Sequence, residues 1–143
     1  MKDLVFTCDI PGDDFNRAGD ASSKLKKILK QTGYNDDAIR RIVIATYECE
    51  INAAIHGGGG HIEVKVFPDH TDIWVTDEGP GIPNLEKAME EGYSTASAEV
   101  RSLGFGAGMG LPNIKKYSDE LEIDTAPGKG TKVFMRVNQP SIV

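Results

Sequence analysis

The sequence predicts a two-layer α/β domain in which helices cover one face of a mixed β-sheet. Short stretches of alternating apolar and polar residues predict strands. Longer stretches with apolar residues three and four positions apart predict helices. Their order, β-α-α-β-β-α-α-β-β, favours helices layered on a single sheet, and 143 residues suit one domain spanning residues 1–143.

The first half of the chain predicts a strand, two helices and a hairpin. The strand ends at a Pro-Gly pair, the first helix has a basic outer face, and the second helix begins at residues suited to capping. In order, these elements are the strand Leu4–Ile10, the helix Phe15–Gln31, a helix from Asn35 and Asp36 to about His56, and the strands His61–Phe67 and Thr71–Thr76.

The second half predicts two helices and two strands around a long glycine-rich segment. Pro112 suits the first turn of its helix. The predicted elements are a short helix Asn84–Glu91, the segment Gly92–Gly110, a helix Leu111–Ser118, and the strands Leu121–Thr125 and Lys132–Val137 on either side of a turn at Pro127–Gly130.

Composition excludes several classes of protein. The net charge of -6 argues against general nucleic-acid binding, which depends on Lys and Arg. No apolar run approaches the roughly 20 residues of a membrane span, and the N-terminus does not resemble a signal peptide. Cys8 and Cys49 are too few for a disulfide scaffold and are expected to be reduced core thiols. We therefore expect a cytoplasmic protein.

Glycine is the compositional outlier. Eleven of the sixteen glycines lie between Gly57 and Gly110. Such clustering indicates backbone that approaches a ligand closely.

Glu48 and Asn52 lie four residues apart and share one face of the second predicted helix. A carboxylate there can act as a general base, and an amide oxygen can bind a hard cation such as Mg²⁺. The same pair also fits the solvated polar edge of an amphipathic helix.

Asp77 follows an alternating strand and precedes Gly79 and Gly81. The carboxylate can accept a hydrogen bond from an exocyclic amine, and the two glycines let backbone pass close to a flat ligand. The competing interpretation is a tight turn with Asp77 as a local cap.

Four glycines at alternate positions, Gly104, Gly106, Gly108 and Gly110, lead directly into a predicted helix. Unpaired backbone N–H groups at a helix N-terminus favour phosphate, whereas the alternative is a flexible linker. Neither a Rossmann spacing nor a P-loop occurs in the chain. The later segment Gly128-Lys129-Gly130-Thr131 fits a hairpin turn that leaves a hydroxyl at the start of a strand.

Together these motifs resemble the four boxes of the GHKL ATPases, in the same order. They are Glu48-x-x-x-Asn52, Asp77-x-Gly79-x-Gly81, Gly106-x-Gly108-x-Gly110 and Gly128-x-Gly130-Thr131. The resemblance spans about residues 40–137 and implies the Bergerat α/β sandwich, the histidine-kinase-like ATPase fold.

The stretch from Asp77 to Ser94, and that from Gly108 to Glu120, resemble the branch of anti-sigma factors and serine/threonine switch kinases. The resemblance implies that Glu48 activates the attacking hydroxyl and that Asn52 holds Mg²⁺. It also implies that Asp77 binds the adenine amine and that Thr131 supports the adenine base through a water molecule. The remaining nucleotide-binding positions it implies are Gly79, Gly81, Ile82, Gly104, Gly106, Gly108, Met109, Gly110 and Leu111.

The resemblance implies ATP or ADP with Mg²⁺ as cofactors and a protein as partner. The expected function is a kinase that phosphorylates a STAS-domain antagonist in a partner-switching pathway. The alternative is an anti-sigma factor or adaptor whose nucleotide state controls partner binding. A sigma factor or phosphatase is a further expected partner, and a homodimer is compatible with the branch.

The extra carboxylate Glu50 points about 200° from Glu48 around the helix, so we expect it outside the site.

Overall fold

The computed structural model describes residues 4–12, 17, 19–56, 58–79, 81, 110–126 and 128–142. The elements in these ranges are β1 (Leu4–Pro11), α1 (Asp20–Lys30), α2 (Asp36–His56), β2 (Gly59–Val66), β3 (His70–Asp77), α3 (Gly110–Tyr117), β4 (Glu120–Thr125) and β5 (Thr131–Asn138). The predicted helix Asn84–Glu91 and most of the segment Gly92–Gly110 lie outside the described residues.

The strands form one five-stranded sheet in the order β1-β2-β3-β5-β4. Every neighbouring pair is antiparallel, so the prediction of a mixed sheet is wrong. The element order does not say which strands pair or in which direction. Pro11 at the end of β1 pairs with Gly59 at the start of β2, and β5 lies antiparallel between β3 and β4.

The core lies between α2 and the inner face of the sheet. Ile42 and Cys49 of α2 pack with strand residues such as Ile62, Ile73 and Met135, all of them buried. The α2 helix contacts β1, β2, β3 and β5, and α1 and α3 pack against α2. The described helices therefore form one layer on one face of the sheet, as predicted.

The first helix begins later than predicted. It starts at Asp20, after Gly19 in the left-handed conformation with φ of 98°. Glycine has no side chain to cap the helix, and Glu50 of α2 supplies the missing acceptor. Its carboxylate accepts hydrogen bonds from the backbone N–H groups of Gly19, Ala21 and Ser22.

The other described elements match their predictions to within two residues at each end. Asn35 caps α2 as predicted, since its Oδ1 accepts the N–H groups of Asp37 and Ala38 at 2.9 and 3.2 Å. The hairpin of β2 and β3 is confirmed by its register, with Val64 opposite Ile73. Cys8 and Cys49 are free, and Cys49 is buried in the core.

Candidate functional site

Glu48 and Asn52 lie one turn apart on α2, and both are half-buried. The amide Nδ2 of Asn113, on α3, lies 3.5 Å from Glu48 Oε1. Burial raises the pKa of the Glu48 carboxyl above its usual range, and the hydrogen bond from Asn113 acts in the opposite direction. Glu48 is thus a partly desolvated carboxylate of raised basicity, which is the property that a general base requires.

Glu50 does not share this site, as the sequence predicted. Only 1% of the residue is exposed, and its carboxylate accepts hydrogen bonds from the Ala21 N–H and the Ser22 hydroxyl in the first turn of α1. The two carboxylates of α2 therefore have separate roles, one facing α3 and one holding α1.

Asp77 is the last residue of β3, the central strand of the sheet. Its Oδ1 accepts the backbone N–H of Gly79 at 2.9 Å. The local cap considered from the sequence is therefore present. It uses one carboxylate oxygen, and within the described ranges no donor contacts the other, Oδ2. A turn cap and ligand recognition are compatible at this residue.

Two glycines bring the chain after β3 against the turn between β4 and β5. A Cβ atom on Gly130 would lie 2.2 Å from the carbonyl oxygen of Asp77, and one on Gly81 would lie 2.3 Å from that of Ala126. Both glycines have positive φ, of 77° and 78°. Any side chain at either position would push these two segments apart.

Thr131 begins β5 directly opposite Asp77 in the sheet register. Its hydroxyl lies 2.9 Å from that of Thr125, which ends β4. Thr125 also donates to the carbonyl oxygen of Gly130 at 3.2 Å. Thr125 therefore fixes the hydroxyl of Thr131 beside Asp77.

A cavity of about 760 Å³ opens at this end of the sheet. Asp77, Glu78, Thr125, Gly130 and Thr131 contribute to its walls, together with outer-face residues such as His61 and Lys132. None of the described residues of α2 or α3 lines it. The cavity therefore shares the Asp77–Thr131 corner with the candidate site but lies mainly on the side away from Glu48.

Several predicted positions lie beyond what the structure describes, namely Ile82, Gly104, Gly106, Gly108 and Met109. Gly110 is the first residue of α3, and Leu111 is 7% exposed and packs in the core. Pro112 stands in the first turn of α3, as predicted. The glycine-rich segment therefore leads into a helix that is anchored to the core.

The sequence did not predict two residues of this site, Asn113 and Thr125. The Asn113 contact joins segments 65 residues apart, and the Thr125 contact depends on the register of the β4–β5 hairpin. Gly130 was predicted as part of a hairpin turn and of the fourth GHKL-like box. Its close approach to Asp77 was not predicted, because it depends on the pairing of β3 with β5, which the element order does not give.

The family model for the histidine kinase-like ATPase domain matches residues 14–137. The chain belongs to the histidine kinase-like ATPase family. The resemblance to the GHKL anti-sigma and switch-kinase branch is confirmed by the relatives of this family member. The chain is 31% identical over 112 residues to the serine/threonine-protein kinase RsbT of Bacillus subtilis (strain 168). The match covers 76% of this chain and 78% of that protein.

Two anti-sigma F factors give similar matches. The protein from Thermoanaerobacter sp. (strain X514) is 39% identical over 104 residues, covering 69% of each chain. That from Clostridium acetobutylicum (strain ATCC 824) is 33% identical over 141 residues, covering 94% of this chain and 90% of the relative.

Solved structures agree on the fold of this family member. The RsbU and RsbW domains of Rv1364c from Mycobacterium tuberculosis match with a TM-score of 0.62 at 18% identity, covering 99% of this chain and 34% of that one. The mycobacterial sensor histidine kinase MprB matches with a TM-score of 0.54 at 19% identity, covering 97% of this chain and 100% of that one. These likenesses support the Bergerat-type sandwich. None of the described helices is long and apolar enough to cross a membrane.

Proposed function

We propose that this chain is a Mg²⁺- and ATP-dependent serine/threonine kinase that phosphorylates a STAS-domain antagonist protein in the cytoplasm. The main observation in support of the proposal is the burial of Glu48 and its contacts. This carboxylate is half-buried, one helical turn from the amide of Asn52, and in contact with α3. The similarity to a serine/threonine-protein kinase over 78% of its length supports the same reaction.

The described residues fit a nucleotide with Mg²⁺. Gly81 and Gly130 have no side chain, which lets the turn between β4 and β5 lie directly against the chain at Asp77. Asp77 Oδ2 would accept from the adenine amine, and Thr131 would support the base. The Asn52 side-chain oxygen is a hard donor of the kind that Mg²⁺ binds. When bound, ATP would supply the phosphoryl group, and Mg²⁺ held by Asn52 would offset part of its negative charge.

In this reaction Glu48 accepts the proton of the acceptor hydroxyl. A bond forms between that oxygen and the γ-phosphorus, the bond from the γ-phosphorus to the β–γ bridging oxygen breaks, and ADP leaves. The raised pKa of Glu48 matches a base that must take a proton near neutral pH.

The test is transfer of labelled phosphate. The full chain is incubated with γ-labelled ATP, Mg²⁺ and STAS-domain proteins encoded near its gene, beside Glu48→Gln and, as a matched control, Glu122→Gln on exposed β4. We expect one STAS protein to be labelled on Ser or Thr by the wild type and the control but not by Glu48→Gln. Absence of labelling from every acceptor, with ATP bound, would overturn the kinase proposal.

The similarity to anti-sigma F factors favours a second candidate, an anti-sigma factor or adaptor controlled by its nucleotide. In a pull-down with purified sigma factors from the same organism, this candidate requires retention that differs between ATP and ADP. Equal retention with both nucleotides, or none, argues against it.

A further inference from the structure

Asn113 occupies a fixed position at the junction of α3 and α2. It lies in α3 between Leu111 and Ile114, which are 7% and 0% exposed. These two apolar side chains anchor the helix in the core, so the Asn113 amide is carried on a rigid support. Because α3 begins at Gly110, Asn113 is also less than one turn from the end of the glycine-rich segment.

Its amide is directed at Glu48. The Nδ2 to Oε1 distance of 3.5 Å is at the long end of the range for a hydrogen bond. Contacts of this kind in ligand-free sites are often long and shorten when substrate binds. Among the described residues, no other side chain donates to the Glu48 carboxylate.

We propose that Asn113 is a positioning residue that orients the carboxylate of Glu48 and couples it to the helix following the glycine-rich segment. The proposal rests on the proposed function for its catalytic consequence. An amide NH₂ group donates without carrying charge, so it fixes one carboxylate oxygen and leaves the other to receive a proton. The same contact opposes the burial that would otherwise favour the neutral carboxyl.

A spectroscopic test addresses the contact without requiring activity. In ¹H–¹⁵N spectra of the full chain, the side-chain NH₂ signals of Asn113 are assigned by their loss in Asn113→Ala. We expect Glu48→Gln to shift these signals, because it replaces the charged acceptor. The NH₂ signals of Asn138, exposed at the far end of β5, serve as the control and are expected to stay in place. Unmoved Asn113 signals would overturn the proposal.

A kinetic test addresses the positioning. The acceptor is the STAS protein labelled in the transfer assay, and Asn113→Ala is compared with the matched control Asn138→Ala. We expect Asn113→Ala to lower kcat about tenfold and leave the KM for ATP within about twofold, because a displaced base weakens the transition state and not ground-state binding. Asn113→Asp, equal in shape but negatively charged, is expected to lower kcat at least as much. An unchanged kcat in Asn113→Ala would overturn the proposal.

The two tests separate the inference from the proposed function. If no STAS protein is phosphorylated, the kinase proposal fails, and the response of the Asn113 signals still decides whether this residue orients Glu48. If transfer occurs and the signals do not respond, the kinase proposal stands and the role of Asn113 falls.

Discussion

Glu50 Oε1 accepts two hydrogen bonds from Ser22, one from its hydroxyl at 2.7 Å and one from its backbone N–H at 3.1 Å. The other carboxylate oxygen accepts the N–H groups of Gly19 and Ala21. The Glu50 side chain thus caps the N-terminus of α1 although it belongs to a different helix. The dipole of α1 also stabilises the negative charge of the carboxylate at this end.

Glu50→Gln is expected to lower the free energy of unfolding by about 3 kcal/mol, because an amide NH₂ would face buried N–H donors and the charge-assisted bonds would weaken. Urea denaturation measures the effect. Glu122→Gln on exposed β4 is the control and is expected to change stability by less than about 0.5 kcal/mol. A loss below about 1 kcal/mol for Glu50→Gln would contradict the capping role.

Thr46→Val is expected to stabilise the protein by about 1 kcal/mol. The Thr46 hydroxyl is fully buried in α2 and has no hydrogen-bond partner within the described part of the chain, and an unpaired buried hydroxyl is unfavourable. Thr71→Val is the contrasting control, since the equally buried Thr71 donates to the hydroxyl of Tyr34 at 3.0 Å. Urea midpoints should move in opposite directions; a fall for both variants would show that the Thr46 hydroxyl has a favourable contact.

Glu48→Gln is expected to raise thermal stability at neutral pH but not in acid. Burial raises the folded-state pKa of Glu48 above its usual 4.5. Such a group contributes stability that is fully present below the unfolded-state pKa and is lost as the pH rises through the folded pKa. The Tm difference between Glu48→Gln and the wild type should therefore grow with pH above about 4.5. A difference that shrinks with pH would mean that the pKa of Glu48 is lowered, not raised.

Gly130→Ala is expected to weaken both stability and nucleotide binding. A methyl group there would meet the carbonyl oxygen of Asp77 at 2.2 Å. Gly128→Ala separates this clash from backbone strain, because Gly128 has the same φ of 77° with nothing within 4 Å of its Cβ position. The control is expected to cost about 1 kcal/mol in urea unfolding and to keep its ATP affinity. Equal affinities in the two variants would contradict a role for Gly130 in holding Asp77.

The sequence predicted most elements because their patterns are local. Asn35 caps α2 through residues two and three positions away, and β2 and β3 alternate on either side of a short turn. The predictions were wrong where the structure of one segment depends on contacts with a distant segment. The start of α1 depends on Glu50, about thirty residues later, and the antiparallel sheet depends on how β3 pairs with β5.

The candidate site divides in the same way. Glu48, Asn52, Asp77 and Thr131 stand in motifs whose order resembles the GHKL boxes, and that resemblance, not the residue types alone, implied a nucleotide site. Asn113 and Thr125 act through contacts 65 and 6 residues away along the chain, to Glu48 and Thr131. No local pattern distinguishes such residues from ordinary helix and strand positions.

Calorimetric titration with Mg·ATP tests the central claim. The claim is that Asp77 and the neighbouring Thr131 bind the nucleotide, whereas Glu48 acts as the base in phosphoryl transfer and is not needed for binding. The wild type is compared with Asp77→Asn, Glu48→Gln and Asp36→Asn, the last an exposed control at the opposite end of α2. We expect Asp77→Asn to weaken Kd at least tenfold, corresponding to about 1.4 kcal/mol, with Glu48→Gln and the control within about threefold of wild type. Wild-type affinity in Asp77→Asn would contradict the account.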